Sequence, residues 1–228
     1  MQDLSQLEST IGVKFKNQEI LRNALVHRSF INENHQIKEH NERLEFLGDA
    51  VLELVVTDHL YRKYPNPEGD LTNWRAALVN SHMLATCATE NSLEKYLLLS
   101  KGEAKDSNSK ARQFILADAF EALIGAIYID QGYTIADKFI KEKLLTKLEY
   151  ILANKLYIDS KSKFQEEAQS KTGITPNYQV LEESGPDHDK HFKIGIYLDK
   201  EMVAVGIGTS KQEAQMDAAK NALAAKGW

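Results

Sequence analysis

HNERLEFLGDAVLELVVT, residues His40–Thr57, decides how the rest of the chain is read. Leu44, Leu47, Val51, Leu54 and Val55 recur at helical spacing, so the stretch predicts a helix. On that helix Glu42, Glu45 and Asp49 stand at i, i+3 and i+7 and span about 60°, a single face. Glu53 falls one turn beyond Asp49 and reads as a solvated acid near the helix exit. No lysine or arginine lies between Leu44 and Thr57, so the usual basic neighbour one turn away is missing. A second stretch, Phe114–Ile129 (FILADAFEALIGAIYI), repeats the pattern with Asp118 and Glu121 as its only charges. A helix this apolar is buried nearly all round.

Two ionised carboxylates do not stay in apolar surroundings unaided; they are protonated, paired or bound to a cation. Salt bridges to Lys or Arg elsewhere in the chain are the ordinary outcome. The same i,i+3 acidic pair occurring twice favours the cation. Oxygen ligands without cysteine or convergent histidine suit Mg²⁺, or Mn²⁺ in its place, and not zinc. Such an ion beside a phosphodiester serves hydrolysis by an activated water.

Outward from these stretches, the first two thirds of the chain read as helices, through Leu7, Ile11, Leu21 and Leu25 and again through Leu144, Leu145 and Leu148. Pro65 and Pro67 break the pattern, and Lys101–Arg112 is polar enough to predict a loop. After about residue 150 the pattern changes. A short polar segment, Asn154–Ser160, predicts a linker, followed by a helix over Ser162–Lys171 and three strands. Phe192, Ile194, Ile196 and Leu198 share one strand face, Asp199-Lys200 makes a two-residue turn, and Val203, Val205 and Ile207 alternate in the third strand. Ala214, Ala218 and Ala222, four apart, predict a helix that packs closely on the sheet. The expected architecture is an all-α domain over 1–153, a linker over 154–160 and a small α+β domain, α-β-β-β-α, over 161–228.

The 228 residues are 43% hydrophobic and 27% charged, which excludes wholesale disorder. No apolar run approaches the roughly 18 residues of a membrane span. The start, MQDLSQLEST, lacks the basic and apolar regions of a signal peptide. The single cysteine, Cys87, rules out an internal disulfide framework and fits a reducing cytoplasm; on its apolar helix it reads as a core thiol. The formal charge is −5, with 18 basic and 22 acidic residues before residue 154 and 10 and 11 from there on. Neither half is basic, so any nucleic-acid contact rests on where particular lysines point. No glycine-rich phosphate loop or dinucleotide fingerprint is present, which argues against a nucleotide cofactor.

His40–Asp49, HNERLEFLGD, closely resembles the signature of ribonuclease III, the double-stranded-RNA endonuclease. HRSF (His27–Phe30), PEGDLT (Pro67–Thr72), RAALV (Arg75–Val79) and LADAFEALIGAIYID (Leu116–Asp130) agree with it. The tail resembles the double-stranded-RNA-binding domain through FQE (Phe164–Glu166), GPDHDKHF (Gly185–Phe192) and GIGTSKQEAQMDAA (Gly206–Ala219). The resemblance implies an Mg²⁺-dependent homodimeric enzyme, each subunit cutting one strand to leave 5′-phosphate and 3′-hydroxyl ends. Its substrates would be structured precursors of ribosomal, messenger and transfer RNA. By the same resemblance Glu45, Asp49, Asp118 and Glu121 form the metal cluster, with Asp49 and Glu121 the least replaceable. Glu42 and Glu68 are auxiliary acids, and Phe46 plugs into the partner subunit, although from spacing alone it reads as a core aromatic.

In the tail the resemblance assigns Gln165 and Glu166 to 2′-hydroxyls and base edges, and His188 to the next minor groove. Ser210, Lys211, Gln212 and Gln215 would face phosphates across the major groove. Related domains often carry two adjacent lysines where this chain has Lys211-Gln212, and a charged residue where Gln215 stands. One phosphate contact fewer flattens the salt dependence of binding by about one unit. The basic stretch Lys101–Arg112 is either a solvated loop or a grip on the duplex backbone. Two other readings compete: a protein that binds duplex RNA without cutting it, and a phosphohydrolase of small nucleotides.

Overall fold

The computed structural model describes residues 3–105, 109–186 and 190–228. It divides into two compact units, Met1–Tyr157 and Ile158–Trp228.

The first unit is helical: α1 (Ser5–Ile11), α2 (Gln18–Ala24), α3 (Arg28–Glu33), α4 (Glu42–Lys63), α5 (Glu68–Leu78), α6 (Ser81–Glu90), α7 (Lys101–Lys105), α8 (Lys110–Gln131), α9 (Tyr133–Lys143) and α10 (Leu148–Ala153). α8 runs through the middle. Phe120, Leu123, Ile124 and Ile127 on it are fully buried, as its near-continuous apolar run requires. α4 lies along it and contributes Leu52, Val55, Val56 and Leu60 to the same core. α6 covers another side through Leu84, Cys87 and Ala88. Capping is local and legible: Asn17, Asn80 and Ser109 each accept a backbone N–H of the helix they precede.

The expected loop at Lys101–Arg112 is corrected in part. Lys101–Lys105 is helical, and Lys110–Arg112 forms the first turn of α8. Ser109 caps that turn, which the polar composition concealed. Arg112 is only 8% exposed and pairs with Glu94 at 3.1 Å, so it is not free to grip a duplex.

The second unit comprises α11 (Ser160–Thr172), β1 (Asn177–Ser184), β2 (His191–Leu198), β3 (Glu201–Gly208) and α12 (Lys211–Lys226). The sheet is antiparallel in the order β1-β2-β3. α11 starts two residues before the expected Ser162, because Asp159 accepts the amides of Lys161 and Ser162. Phe192, Ile194, Ile196 and Leu198 face the core as their alternation predicts. β3 behaves differently. Ile207, opposite Lys193, is 69% exposed, while Gly206, opposite Ile194, is buried. A Cβ at Gly206 would collide with the backbone of Ala214 and Ala218, so α12 seats itself on the glycine and Ile207 turns outward, while Val203 still packs against the core.

Candidate metal centre

The acids meet where α4 crosses α8, and two glycines make the crossing possible. A Cβ added at Gly48 would run into the carbonyl of Glu121; one added at Gly125 would run into the carbonyl of Leu44. The two backbones therefore touch, and each glycine sits beside the carboxylates it brings together. One oxygen each from Glu45, Asp118 and Glu121 lies within 4.8 Å of the other two. Ligands on one Mg²⁺, at about 2.1 Å from the ion, stand about 3 to 4.2 Å apart. Side-chain movement of about 1 to 2 Å would bring all three oxygens onto one hard cation.

The electrostatics agree with that fit. Burial pushes the Glu121 carboxyl up to about 8, with Asp49, Asp118 and Glu45 adding to the rise. Burial likewise raises Glu45 to about 7, helped by Asp118, Glu42 and Asp49. Asp118 is raised by burial and drawn back by His27. Like charges crowded into half-buried positions hold protons unless a cation replaces them.

Asp49 is exposed and outside the threefold group, but close enough to act on both Glu45 and Glu121. Glu42 turns toward Arg28 at 3.6 Å and His40 at 3.8 Å. Glu53 is exposed on α4. Glu68 stands apart: it begins α5, accepts the Thr72 hydroxyl at 2.8 Å and lines a groove of about 920 Å³ with Leu60 and Tyr61. Along α4, Glu45 and Leu60 are about 22 Å apart. Phe46 is 81% exposed, so it is not the core aromatic that spacing alone suggested. Leu54 and Tyr61 are also exposed on α4, at 56% and 77%.

His27 escaped the sequence reading, although HRSF marked its position. Its Nδ1 caps α3 by accepting the Ser29 amide at 3.3 Å and lies 2.8 Å from the Ser29 hydroxyl, which accepts the Ser100 amide. Burial lowers its pKa against the pull of Glu103 and Asp118. Cys87 is the expected core thiol, fully buried, with burial pushing it up to about 12.

In the second unit Gln165 and Glu166 are exposed on α11. Ser210 caps α12 by accepting the Glu213 amide, and Glu213 returns a carboxylate to Thr209, a reciprocal cap. Lys211 sits 5.7 Å over the Phe192 ring, and Gln212 is exposed beside it. Gln215 accepts a hydrogen bond from Lys161. His188 lies outside the described residues.

Residues 17–148 match the family model described as ribonuclease-III-like, and residues 160–226 match the double-stranded RNA binding motif. A protein named Ribonuclease 3 from Protochlamydia amoebophila is 45% identical over 95% of this chain and 89% of its own length. Another of that name, from Borreliella afzelii, is 42% identical over 97% and 91%. Among solved structures, the nuclease domain of ribonuclease III from Campylobacter jejuni matches with a TM-score of 0.54 at 38% identity, covering 62% of this chain and 98% of that one. A helical unit carrying a carboxylate cluster, a following α-β-β-β-α unit and near full-length identity above 40% have one consequence: the chain belongs to the ribonuclease III family.

Proposed function

We propose that this chain is an Mg²⁺-dependent endoribonuclease that hydrolyses both strands of duplex RNA as a homodimer. The observation that carries this reading is the convergence of Glu45, Asp118 and Glu121 at the α4–α8 crossing, with Glu121 held up to about 8. When bound, the divalent cation supplies Lewis-acid stabilisation of charge at the scissile phosphate and lowers the pKa of an attacking water.

The chain's own residues do the rest. Glu45, Asp118 and Glu121 would give up their protons and hold the ion, each from a backbone fixed where the two helices touch. Asp49, exposed at the rim and close enough to act on Glu45 and Glu121, would complete the ligand set, and it and Glu121 are the two residues least able to be replaced. Glu42, near Arg28 and His40, keeps an arginine beside the cluster where it can meet a phosphate oxygen. The products are 5′-phosphate and 3′-hydroxyl ends, and the substrates are structured ribosomal, messenger and transfer RNA precursors in the cytoplasm.

Phe46, Leu54 and Tyr61 form an exposed apolar stripe along α4. A two-fold axis through such a stripe pairs one cluster with a second, as two cuts across a duplex require. The similar Campylobacter nuclease domain has a structurally flexible region involved in its dimer formation. In the second unit Gln165, Glu166, Ser210, Lys211 and Gln212 are the duplex contacts.

The test is cleavage of a long RNA duplex by the wild type and by Glu121→Gln, each in Mg²⁺ and in Ca²⁺. Cutting by the wild type in Mg²⁺ alone, with both proteins retarding the duplex on a gel, is the expected result. Retardation without cutting in every metal would replace this reading with that of a duplex-binding protein.

A further inference from the structure

Where related domains often carry two adjacent lysines this chain has Lys211-Gln212, which in the sequence reads as one phosphate contact fewer, and Gln215 adds no charge one turn on. The structure puts a charge there from another helix. Lys161, in the first turn of α11, donates from Nζ to the Gln215 carbonyl oxygen at 2.8 Å. Its ammonium also lies 5.3 Å over the Tyr178 ring. Both partners are neutral, so neither cancels the charge. A lysine has three donors and this contact uses one. Gln215 and Lys211 are four apart on α12, neighbours on one face. The Lys161 ammonium therefore stands one turn along from Lys211 on the face that the domain turns toward phosphates. Asp159 fixes where the side chain starts by accepting the Lys161 and Ser162 amides.

We propose that Lys161 is a phosphate-binding residue, supplying from α11 a positive charge beside Gln215 to a helix start that has Lys211 but no second lysine. With its oxygen engaged by Lys161, Gln215 presents its amide N–H groups as further donors. The shape of the site differs from a lysine on α12 itself: the charge sits at the junction of the two helices that carry the duplex contacts, and its placement depends on both. This inference rests on the reading of the second unit as a duplex-RNA binder.

The experiment is the salt dependence of duplex-RNA binding by the full chain in EDTA, for wild type, Lys161→Met, Lys161→Gln, Lys161→Arg and Lys211→Met, with thermal melting of each. Removing the charge at Lys161 should lower the log–log slope by about one unit, so that the wild type's advantage shrinks about three- to fourfold between 50 and 200 mM salt. Lys161→Gln, which keeps a hydrogen-bond donor, should lose the same slope, and Lys161→Arg should keep it. Weakened binding with an unchanged slope would overturn the proposal and leave Lys161 as a brace between helices; so would no change at all. A wild type that fails to bind duplex, or a Lys211→Met variant with the wild-type slope, would instead sink the underlying RNA-binding reading.

Discussion

Glu121 and Glu45 hold protons that a free carboxylate would release, and this has consequences for both stability and metal affinity. The folded-state pKa of Glu121 is raised from 4.5 to about 8. The stability associated with this group is therefore complete below about pH 4.5 and is lost as pH rises through about 8. Glu121→Gln should make the metal-free protein more stable than wild type at pH 9, by on the order of 2 kcal/mol after solvent screening, and leave it unchanged near pH 4. Urea melts at the two pH values would check this; a destabilised variant at pH 9 would show that the carboxylate is favourably paired. Mg²⁺ must displace the same protons, so its affinity should climb between pH 6 and 9, with proton release visible by calorimetry in buffers of different ionisation enthalpy. A pH-independent affinity would place the ion elsewhere. The acids were legible in the sequence because a charge on an apolar helix is conspicuous. Lys161 was not: its partner Gln215 is 54 positions away, and a lone surface lysine carries no signal of where its ammonium goes.

The α4–α8 crossing brings Glu45 from one acidic segment to Asp118 and Glu121 of the other. Gly48→Ala should cost about 1–3 kcal/mol or more, since the added methyl meets backbone that cannot rotate away. It should also weaken Mg²⁺ binding in whatever fraction stays folded. Gly69→Ala in α5, where nothing lies within 4 Å, is the matched control and should gain about 0.5–1 kcal/mol. Denaturant midpoints for the pair decide the matter; equal effects would mean the helices tolerate separation. The same device recurs at Gly206, where α12 lies on β3. There α12 also closes the sheet edge: Asp217 accepts the Ile207 amide and Asn221 donates to the Val205 carbonyl. An edge strand whose free groups are taken is poorly suited to pairing with another chain. Helix and strand types were readable from periodicity. The outward turn of Ile207 was not, because alternation says which residues share a face and not which face the helix will choose.

Across the molecule, exposure separates residues that sequence spacing treats alike. Phe46 and Phe120 are both aromatics on apolar helices, yet one is 81% exposed and the other fully buried. Phe46→Ala should shift the sedimenting species from dimer toward monomer while leaving the urea midpoint of the monomer within about 0.5 kcal/mol. A monomeric wild type would remove the basis for the pairing. Composition, the two acidic i,i+3 pairs and the change from helical to alternating periodicity near residue 150 are local properties of the chain. They were enough for a helical unit with hard-cation chemistry and an α+β unit behind it. The assembly of Glu45 with Asp118 and Glu121, the separation of Glu68 from them and the meeting of Lys161 with Gln215 join positions distant along the chain. Those were decided by how closely helices approach, which depends on the absence of a Cβ at Gly48 and Gly125 and on packing between faces that no single segment contains.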